Sequence, residues 1–398
     1  MVSPKDIRIE TYDYPLPEGK IALYPLPERD ASKLLVYRHG QISEHIFRDI
    51  ADELPANALL VFNDTKVIHA RIVTHTPTGA RIEIFCLEPI EPVDVQLAFQ
   101  QKKRCAWKCF VGGNRKWKDG ELQIKSEKLK IKRGVQIDDA WEIIFEWDND
   151  LTFAEILDSV GKIPLPPYIH REVEDSDEER YQTIFAKIKG SVAAPTASLH
   201  FSEQVLESLE TKGIETATLT LHVGAGTFKP VTTETIGSHI MHDEKVIVSQ
   251  DCLHKIRKAI AEKRPIIPVG TTSLRSLESL YWLKPNAEHV EQWAPYSTEN
   301  GEWRMENYAS PLCYGREQHF PFSIFHSPLE FSTSLIIAPP YKFRIATGIV
   351  TNFHQPKSTL LLLISALVGN EWHKIYDYAL SHDFRFLSYG DSCLLLPN

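Results

Sequence analysis

Two histidines, His200 and His222, bracket the stretch of this 398-residue chain where residues suited to ligand chemistry are densest. Ser191 to Thr196 is a run of small residues with one proline. Such a run can pass close to a ligand without side chains in the way. Ser202 is a good N-cap, and Glu203 follows in the first turn, where an anion is favoured. Val205, Leu206 and Leu209 share one helical face, and Gly213 is placed to end the helix. Leu219, Leu221 and Val223 alternate with Thr218, Thr220 and His222, which predicts a strand. Gly224 and Gly226, with Thr227 beyond, follow at once. A strand running into a glycine turn is where open α/β sheets bind ligands.

Two further units repeat that order. Pro265 to Val269 reads as a strand, followed by Gly270, Thr271, Thr272 and Ser273 and a helix carried by Leu274, Leu277 and Leu280. Arg344 to Val350 reads as another, followed by Thr351, Asn352, Phe353 and His354. Pro356 suits the start of the next helix. Small or hydroxyl residues at helix N-termini hold phosphate, carboxylate or ribose groups. Three such turns after buried strands predict a ligand cleft. Ala58 to Phe62 is a fourth apolar run, and Asn63, Asp64 and Thr65 at its end form a turn or face a site.

Other chemistries lack their patterns. No GxGxxG, GxxxxGK[ST] or GxSxG is present, which argues against nicotinamide, Walker-type ATP use and a nucleophile elbow. His239 and His242 stand three apart without an HExxH pattern, so a turn with surface histidines is expected there, and no metal. The six cysteines are scattered and form no CxxC pair, which favours reduced thiols in a cytoplasmic setting.

The elements around these turns suggest two units. At 43% hydrophobic and 24% charged the composition is that of a soluble globular protein, and the length favours two or three domains. No apolar run reaches membrane-spanning length, and the opening residues carry no signal-like segment, so no membrane partner is expected. Residues 67–150 show strand alternation (Arg81 to Leu87, Val93 to Phe99) and closely spaced turn signals, but no long helical period. They read as a small antiparallel β-barrel inserted into a large α/β domain made of 1–66 and 151–398. Residues 282–332, rich in Trp, Pro and Tyr, read as an elaboration or lid.

The middle of the smaller unit is basic: Lys116, Lys118, Lys130 and Lys132 stand among eight further Lys and Arg, with Trp107 and Trp117 interleaved. Exposed aromatics in such a patch would stack RNA bases; the alternative is a solvated face over core tryptophans. The net charge of -9 argues against indiscriminate coating of nucleic acid but allows a local patch.

The strings PLPERDASKLL (25–35), LLVFNDTKVIHARI (59–72), GKIPLPPYI (161–169), ERYQTIFAKIKGSVAAPTASLHFS (179–202), TLHVGAGTFKPV (220–231), VGTTSLRSLESL (269–280), VTNFHQPKSTLLLLISALVG (350–369) and FRFLSYGDSCLL (384–395) occur together in one family. The chain resembles the S-adenosylmethionine:tRNA ribosyltransferase-isomerases of queuosine biosynthesis. That resemblance implies a Rossmann-like α/β domain with an inserted β-barrel. It implies that S-adenosylmethionine is consumed as a substrate. Its ribosyl group would be moved and isomerised onto 7-aminomethyl-7-deazaguanine at the tRNA wobble position, giving epoxyqueuosine-tRNA, adenine and methionine. A monomer acting on tRNA in the cytoplasm is expected.

In that light His200, His222 and His354 compete for proton transfer, since an imidazole titrates near neutrality. Asp64, with Asn63, would hold ribose hydroxyls or the sulfonium. Thr196, Gly224, Gly226, Thr227, Gly270, Thr271, Thr272 and Asn352 would line the nucleoside cleft. Arg29, Arg71, Lys116, Lys118, Lys130 and Lys132 would contact tRNA phosphates. Two departures stand out. Ser198 replaces the usual glycine before Leu199, and Phe331 to Tyr341 (FSTSLIIAPPY) replaces GWTDLFIYPGY, keeping Thr333 and Tyr341. A relative acting on another acceptor, or a noncatalytic RNA binder, is the alternative.

Overall fold

A computed structural model describes residues 3–118, 120–224, 230–284, 287–299, 302–305 and 328–397, with backbone only for 297–299 and 302–305. Gly226, Thr227 and the middle of the 282–332 segment lie outside the described residues.

The strands in chain order are β1 (Lys33–Arg38), β2 (Gln41–Ile46), β3 (Leu59–Asn63), β4 (Thr65–Val67), β5 (Arg71–His75), β6 (Arg81–Glu91) and β7 (Arg104–Gly112). They continue with β8 (Leu122–Ile124), β9 (Leu129–Ile137), β10 (Ala140–Glu146), β11 (Gly161–Lys162), β12 (Ile188–Ser191), β13 (Glu215–Leu221) and β14 (Glu244–Val248). The last are β15 (Ile266–Pro268), β16 (His289–Val290), β17 (Tyr296–Glu299), β18 (Glu302–Met305), β19 (Leu329–Thr333), β20 (Ile349–Asn352) and β21 (Ser392–Leu396).

The protein is mixed α/β with several sheets. The main sheet runs β15-β3-β13-β14-β19-β16. β15, β3 and β13 form a parallel run and β16 pairs parallel with β19; β14 is antiparallel to both its neighbours. A second sheet, β2-β1-β21-β20, touches the first through one bridge, Val269 to Val350. All five residues of β3 are buried. Leu59 and Val61 point into one core and Leu60 and Phe62 into another, so the strand is covered on both faces. That is why its sequence is a continuous apolar run. The ends of the 282–332 segment are built into this sheet as β16 and β19.

The seven-stranded sheet β11-β5-β6-β7-β10-β9-β8 is antiparallel throughout. Its own core contains Trp107, Trp117 and Phe145, together with Phe153, Ile156 and Leu157 from the helix that follows. This unit therefore draws on residues up to Lys162 as well as on 67–150.

Two strand expectations need correction, and the open choice over the tryptophans of the basic segment falls to the core reading. Val93 to Phe99 is not a strand: Asp94 caps a short helix, Val95–Gln100, which buries Ala98 and Phe99. Trp107 and Trp117 are only 1% and 2% exposed, so they are core residues and present no stacking platform. The last predicted strand is confined to Ile349–Asn352. The amides of Arg344, Ile345 and Ala346 point instead at the buried Glu278 carboxylate, which takes them out of any ladder. The helix beyond starts at Thr359, capped by Ser358, with Pro356 in the turn before it.

Candidate active site

The ends of β15 and β20 and the turn Thr196–His200 converge on a cleft of about 700 Å³. Gly270 links β15 to the helix Thr271–Trp282 with φ +89°. A side chain there would be strained, which explains a glycine at the bend. The cleft is lined by Thr196, Gly270, Thr271, Thr272, Asn352 and His354, all expected from sequence, and by Tyr168 and Ser388.

A buried hydrogen-bond chain ties its wall together. The Thr196 hydroxyl donates to Oδ1 of Asn352 at 2.9 Å. Nδ2 of Asn352 donates to Nε2 of His200 at 3.2 Å. Nδ1 of His200 lies 2.9 Å from the Ser32 hydroxyl. With Nε2 accepting, the ring proton belongs on Nδ1. Burial is the first cause that lowers His200, to about 4, so it is neutral at pH 7. Both ring nitrogens are engaged in the wall.

His354 faces the main cleft directly. Its carbonyl accepts from the Tyr14 hydroxyl, and its amide donates to Tyr376 Oη at 3.1 Å. Nε2 lies 3.0 Å from the Thr351 hydroxyl, and burial pushes the imidazole down to about 3.

His222 lies in a different, adjoining cleft of about 1500 Å³, between the main sheet and the antiparallel unit. Val223 lines both clefts, and Gly224 lines the larger one. Nδ1 of His222 is 3.1 Å from the Thr65 hydroxyl. Among the described residues Nε2 has no partner. Burial, then repulsion from Lys245, lowers the ring to about 4.

Asn63 and Asp64 are placed differently. The Asn63 amide donates to the Leu221 carbonyl and accepts from the Thr65 and Leu221 amides, so it stitches β3 to β13. Asp64 accepts from the Thr220 hydroxyl at 2.6 Å and lines neither cleft. Of the basic candidates, Arg71 pairs with Glu83 at 2.7 Å, Lys130 with Glu121 at 3.9 Å and Lys132 with Glu146 at 2.7 Å. Lys116 and Lys118 are exposed. Arg29 sits instead beside a small cavity behind the His200 wall, with Arg180 and Arg385. Among the described residues no group of three or more His, Cys, Asp or Glu is placed to hold a metal ion.

Sequence reasoning assigned no role to Ser32, Tyr168, Arg180, Arg385 or Ser388. The Tyr168 hydroxyl lies 2.5 Å from that of Ser388 across 220 positions, a pairing that no local spacing reveals. The turn that carries Ser388 has a left-handed residue at Leu387 (φ 70°). A Cβ on Gly390 would sit 2.5 Å from the Arg385 carbonyl oxygen. That tight turn was the one local signal available.

A mixed α/β protein whose strand ends close around a hydroxyl- and imidazole-lined cleft is built to handle a nucleoside-like group. The chain belongs to the family described as queuosine biosynthesis protein, whose model matches residues 9–395. It is 36% identical over 395 residues to an S-adenosylmethionine:tRNA ribosyltransferase-isomerase of Treponema denticola, covering 97% of this chain and 99% of that one. It is 36% identical over 392 residues to the protein of the same name in Francisella philomiragia, covering 98% of this chain and 100% of the other. The solved S-adenosylmethionine tRNA ribosyltransferase of Thermotoga maritima is 26% identical, covering 99% of this chain and 100% of that one, with a TM-score of 0.46.

Proposed function

We propose that this chain is an S-adenosylmethionine:tRNA ribosyltransferase-isomerase that makes epoxyqueuosine on tRNA. S-adenosylmethionine is its consumed substrate, and 7-aminomethyl-7-deazaguanine at the wobble position is the acceptor. The observation that carries this reading is the main cleft: Thr196, Gly270, Thr271, Thr272, Asn352 and His354 meet in one cavity, in a chain that matches such enzymes end to end.

The adenosyl group belongs in the main cleft, where hydroxyls and the Gly270 bend can receive ribose and base edges. The substrate's sulfonium acidifies the neighbouring ribose hydrogens, and adenine must later leave with a proton. His354 faces the cleft, and His222 presents a neutral Nε2 to the adjoining one. We assign proton transfer to these two, and to His200 the positioning of Asn352 and Thr196. Asp64 and Asn63 then act by fixing β3 against β13.

None of Phe331 to Tyr341 lines the main cleft, although Leu335, Ile336 and Ile337 line a neighbouring pocket that shares Thr271 and Thr272 with it. Thr333 shares a 2.8 Å hydrogen bond with Ser279, and Tyr341 donates to Glu278 at 2.8 Å, so these two side chains serve packing. This favours an active enzyme over an RNA binder that has lost catalysis.

The seven-stranded unit, entered near residue 67, is read as an inserted barrel, with Lys116 and Lys118 free to meet tRNA phosphates and Lys130 and Lys132 to exchange partners. The large unit is read as Rossmann-like. A cytoplasmic monomer fits this work. No helix among the described residues is long and apolar enough to cross a membrane. A mass-spectrometric assay for epoxyqueuosine tests the function, and absence of adenine release by folded protein would refute it.

A further inference from the structure

Behind the His200 wall lies a second, small cavity whose chemistry the reaction itself leaves unexplained. Arg29, Arg180 and Arg385 all line it, with His200, Ser388 and Tyr389. Arg29 donates to the carbonyl oxygens of Gln182, Leu199 and Glu179, at 2.9, 3.4 and 2.8 Å. Arg180 donates to those of Pro27 and Leu26, at 2.9 and 2.6 Å. Among the described residues neither guanidinium pairs with a carboxylate, and Nε of Arg180 is buried without a partner. Only Arg385 has an acidic partner, Asp391, at 3.4 Å. Burial first, and then the nearby Arg180, push Arg29 below its ordinary range, while the Glu179 side chain opposes this.

Half-buried guanidiniums held in place by main-chain carbonyls and left uncompensated are costly unless an anion completes them. The fork geometry of arginine suits the oxygens of a phosphate. Ser388 borders both this cavity and the main cleft, so a group seated here adjoins whatever occupies the cleft. Two anions are at hand under the proposed function: an RNA phosphodiester and the carboxylate of the methionyl end of S-adenosylmethionine. The latter travels with a sulfonium cation, which three guanidiniums repel.

From this geometry, and resting on the proposed function, we infer that the Arg29–Arg180–Arg385 cavity binds a backbone phosphate of the tRNA beside the acceptor nucleotide. It thereby anchors the nucleotide next to the cleft. Arg29, Arg180 and Arg385 are positioning residues here, since they touch the backbone and not the reacting atoms.

The test uses the full-length protein and an anticodon stem-loop RNA carrying the acceptor base. One neutral methylphosphonate is placed in turn at each phosphate flanking that base. At one position the wild-type protein should bind about tenfold more weakly, and the Arg180→Gln variant should show no further loss there. Arg180→Gln should also weaken the unmodified stem-loop about tenfold and reduce the log–log salt slope by about 1. Its affinity for S-adenosylmethionine should stay unchanged. Equal binding of every methylphosphonate RNA by the wild-type protein would overturn the inference, and that arm needs no variant to fold. Loss of S-adenosylmethionine binding with RNA binding intact would reassign the cavity to the carboxylate. Thermal stabilisation of wild type but not variant by inorganic phosphate, with no methylphosphonate effect, would make it a free-phosphate site. If the wild-type protein discriminates the methylphosphonate RNA but forms no product, the proposed reaction fails and the phosphate site stands.

Discussion

The amide of Asn352 donates to Nε2 of His200 across 3.2 Å while its own oxygen accepts from Thr196. One side chain from the end of β20 thus sets both the tautomer of a buried histidine and the position of a cleft hydroxyl. Asn352→Ala would strand the Thr196 hydroxyl and His200 Nε2 at once. A buried polar group without its partner costs about 1–3 kcal/mol. The variant should lose at least about 2 kcal/mol in urea unfolding at unchanged m value. Its affinity for S-adenosylmethionine should fall as well. An Asn352→Ala protein as stable as the parent would contradict the hydrogen-bond chain.

Stability should depend on pH through the three histidines. Burial lowers His200 and His222 to about 4 and His354 to about 3, from 6.5. Between those values and 6.5 the unfolded chain binds more protons than the folded one. Stability is therefore full above pH 6.5 and is lost as pH falls towards 4, and towards 3 for His354. With about 1.4 kcal/mol per pKa unit, His200 alone accounts for about 3 kcal/mol. Denaturant midpoints measured from pH 7.5 down to 4.5 should fall steadily below 6.5. A flat profile would show that these rings are not held neutral.

Gly190 offers a selective handle on His222. A Cβ at that position would lie 2.4 Å from Cε1 of the imidazole, and the backbone there has φ +156°. Gly190→Ala should push the ring away from Thr65 and out of its place in the larger cleft. The expected outcome is a kcat reduced tenfold or more with S-adenosylmethionine affinity nearly unchanged, because Gly190 does not line the main cleft. Unaltered kcat would remove His222 from the proton-transfer steps.

Much of the site could be read from local sequence. Gly270-Thr271-Thr272 and Thr351-Asn352-Phe353-His354 follow apolar strands, and a strand feeding a small-residue turn is a local pattern. Ser202 caps the helix Glu203–Thr211, and Gly213 follows it with φ +69°, as helix-end chemistry predicts. What stayed hidden depends on distant contacts. Asn63 looked like a ligand-facing residue at a strand end, yet its amide is consumed by Leu221, which lies 158 positions away. His222 and His200 border one stretch of sequence but face different cavities. The basic segment left two readings open because alternation cannot say which face a tryptophan takes; Trp107 and Trp117 take the inner one.

Arg344 to Gly348 lies outside β20 for a similarly distant reason. Both oxygens of Glu278 are used: Oε2 by Tyr341 and the Arg344 amide, Oε1 by the Ile345 and Ala346 amides. Burial raises this carboxyl above its ordinary range, and the four donors oppose that shift. Glu278→Gln would present an NH₂ group to two of these donors. At about 1–3 kcal/mol for each stranded group, the variant should lose at least about 2 kcal/mol. The segment 344–346 should also exchange its amide hydrogens faster. Wild-type stability in Glu278→Gln would contradict the arrangement.

The central claim is the reaction. Purified protein would be incubated with S-adenosylmethionine and tRNA carrying 7-aminomethyl-7-deazaguanine at the wobble position, and the digested RNA analysed by mass spectrometry. The account predicts epoxyqueuosine in the tRNA, with adenine and methionine released in equal amounts. Folded protein that binds both substrates yet leaves the acceptor base unchanged would contradict it.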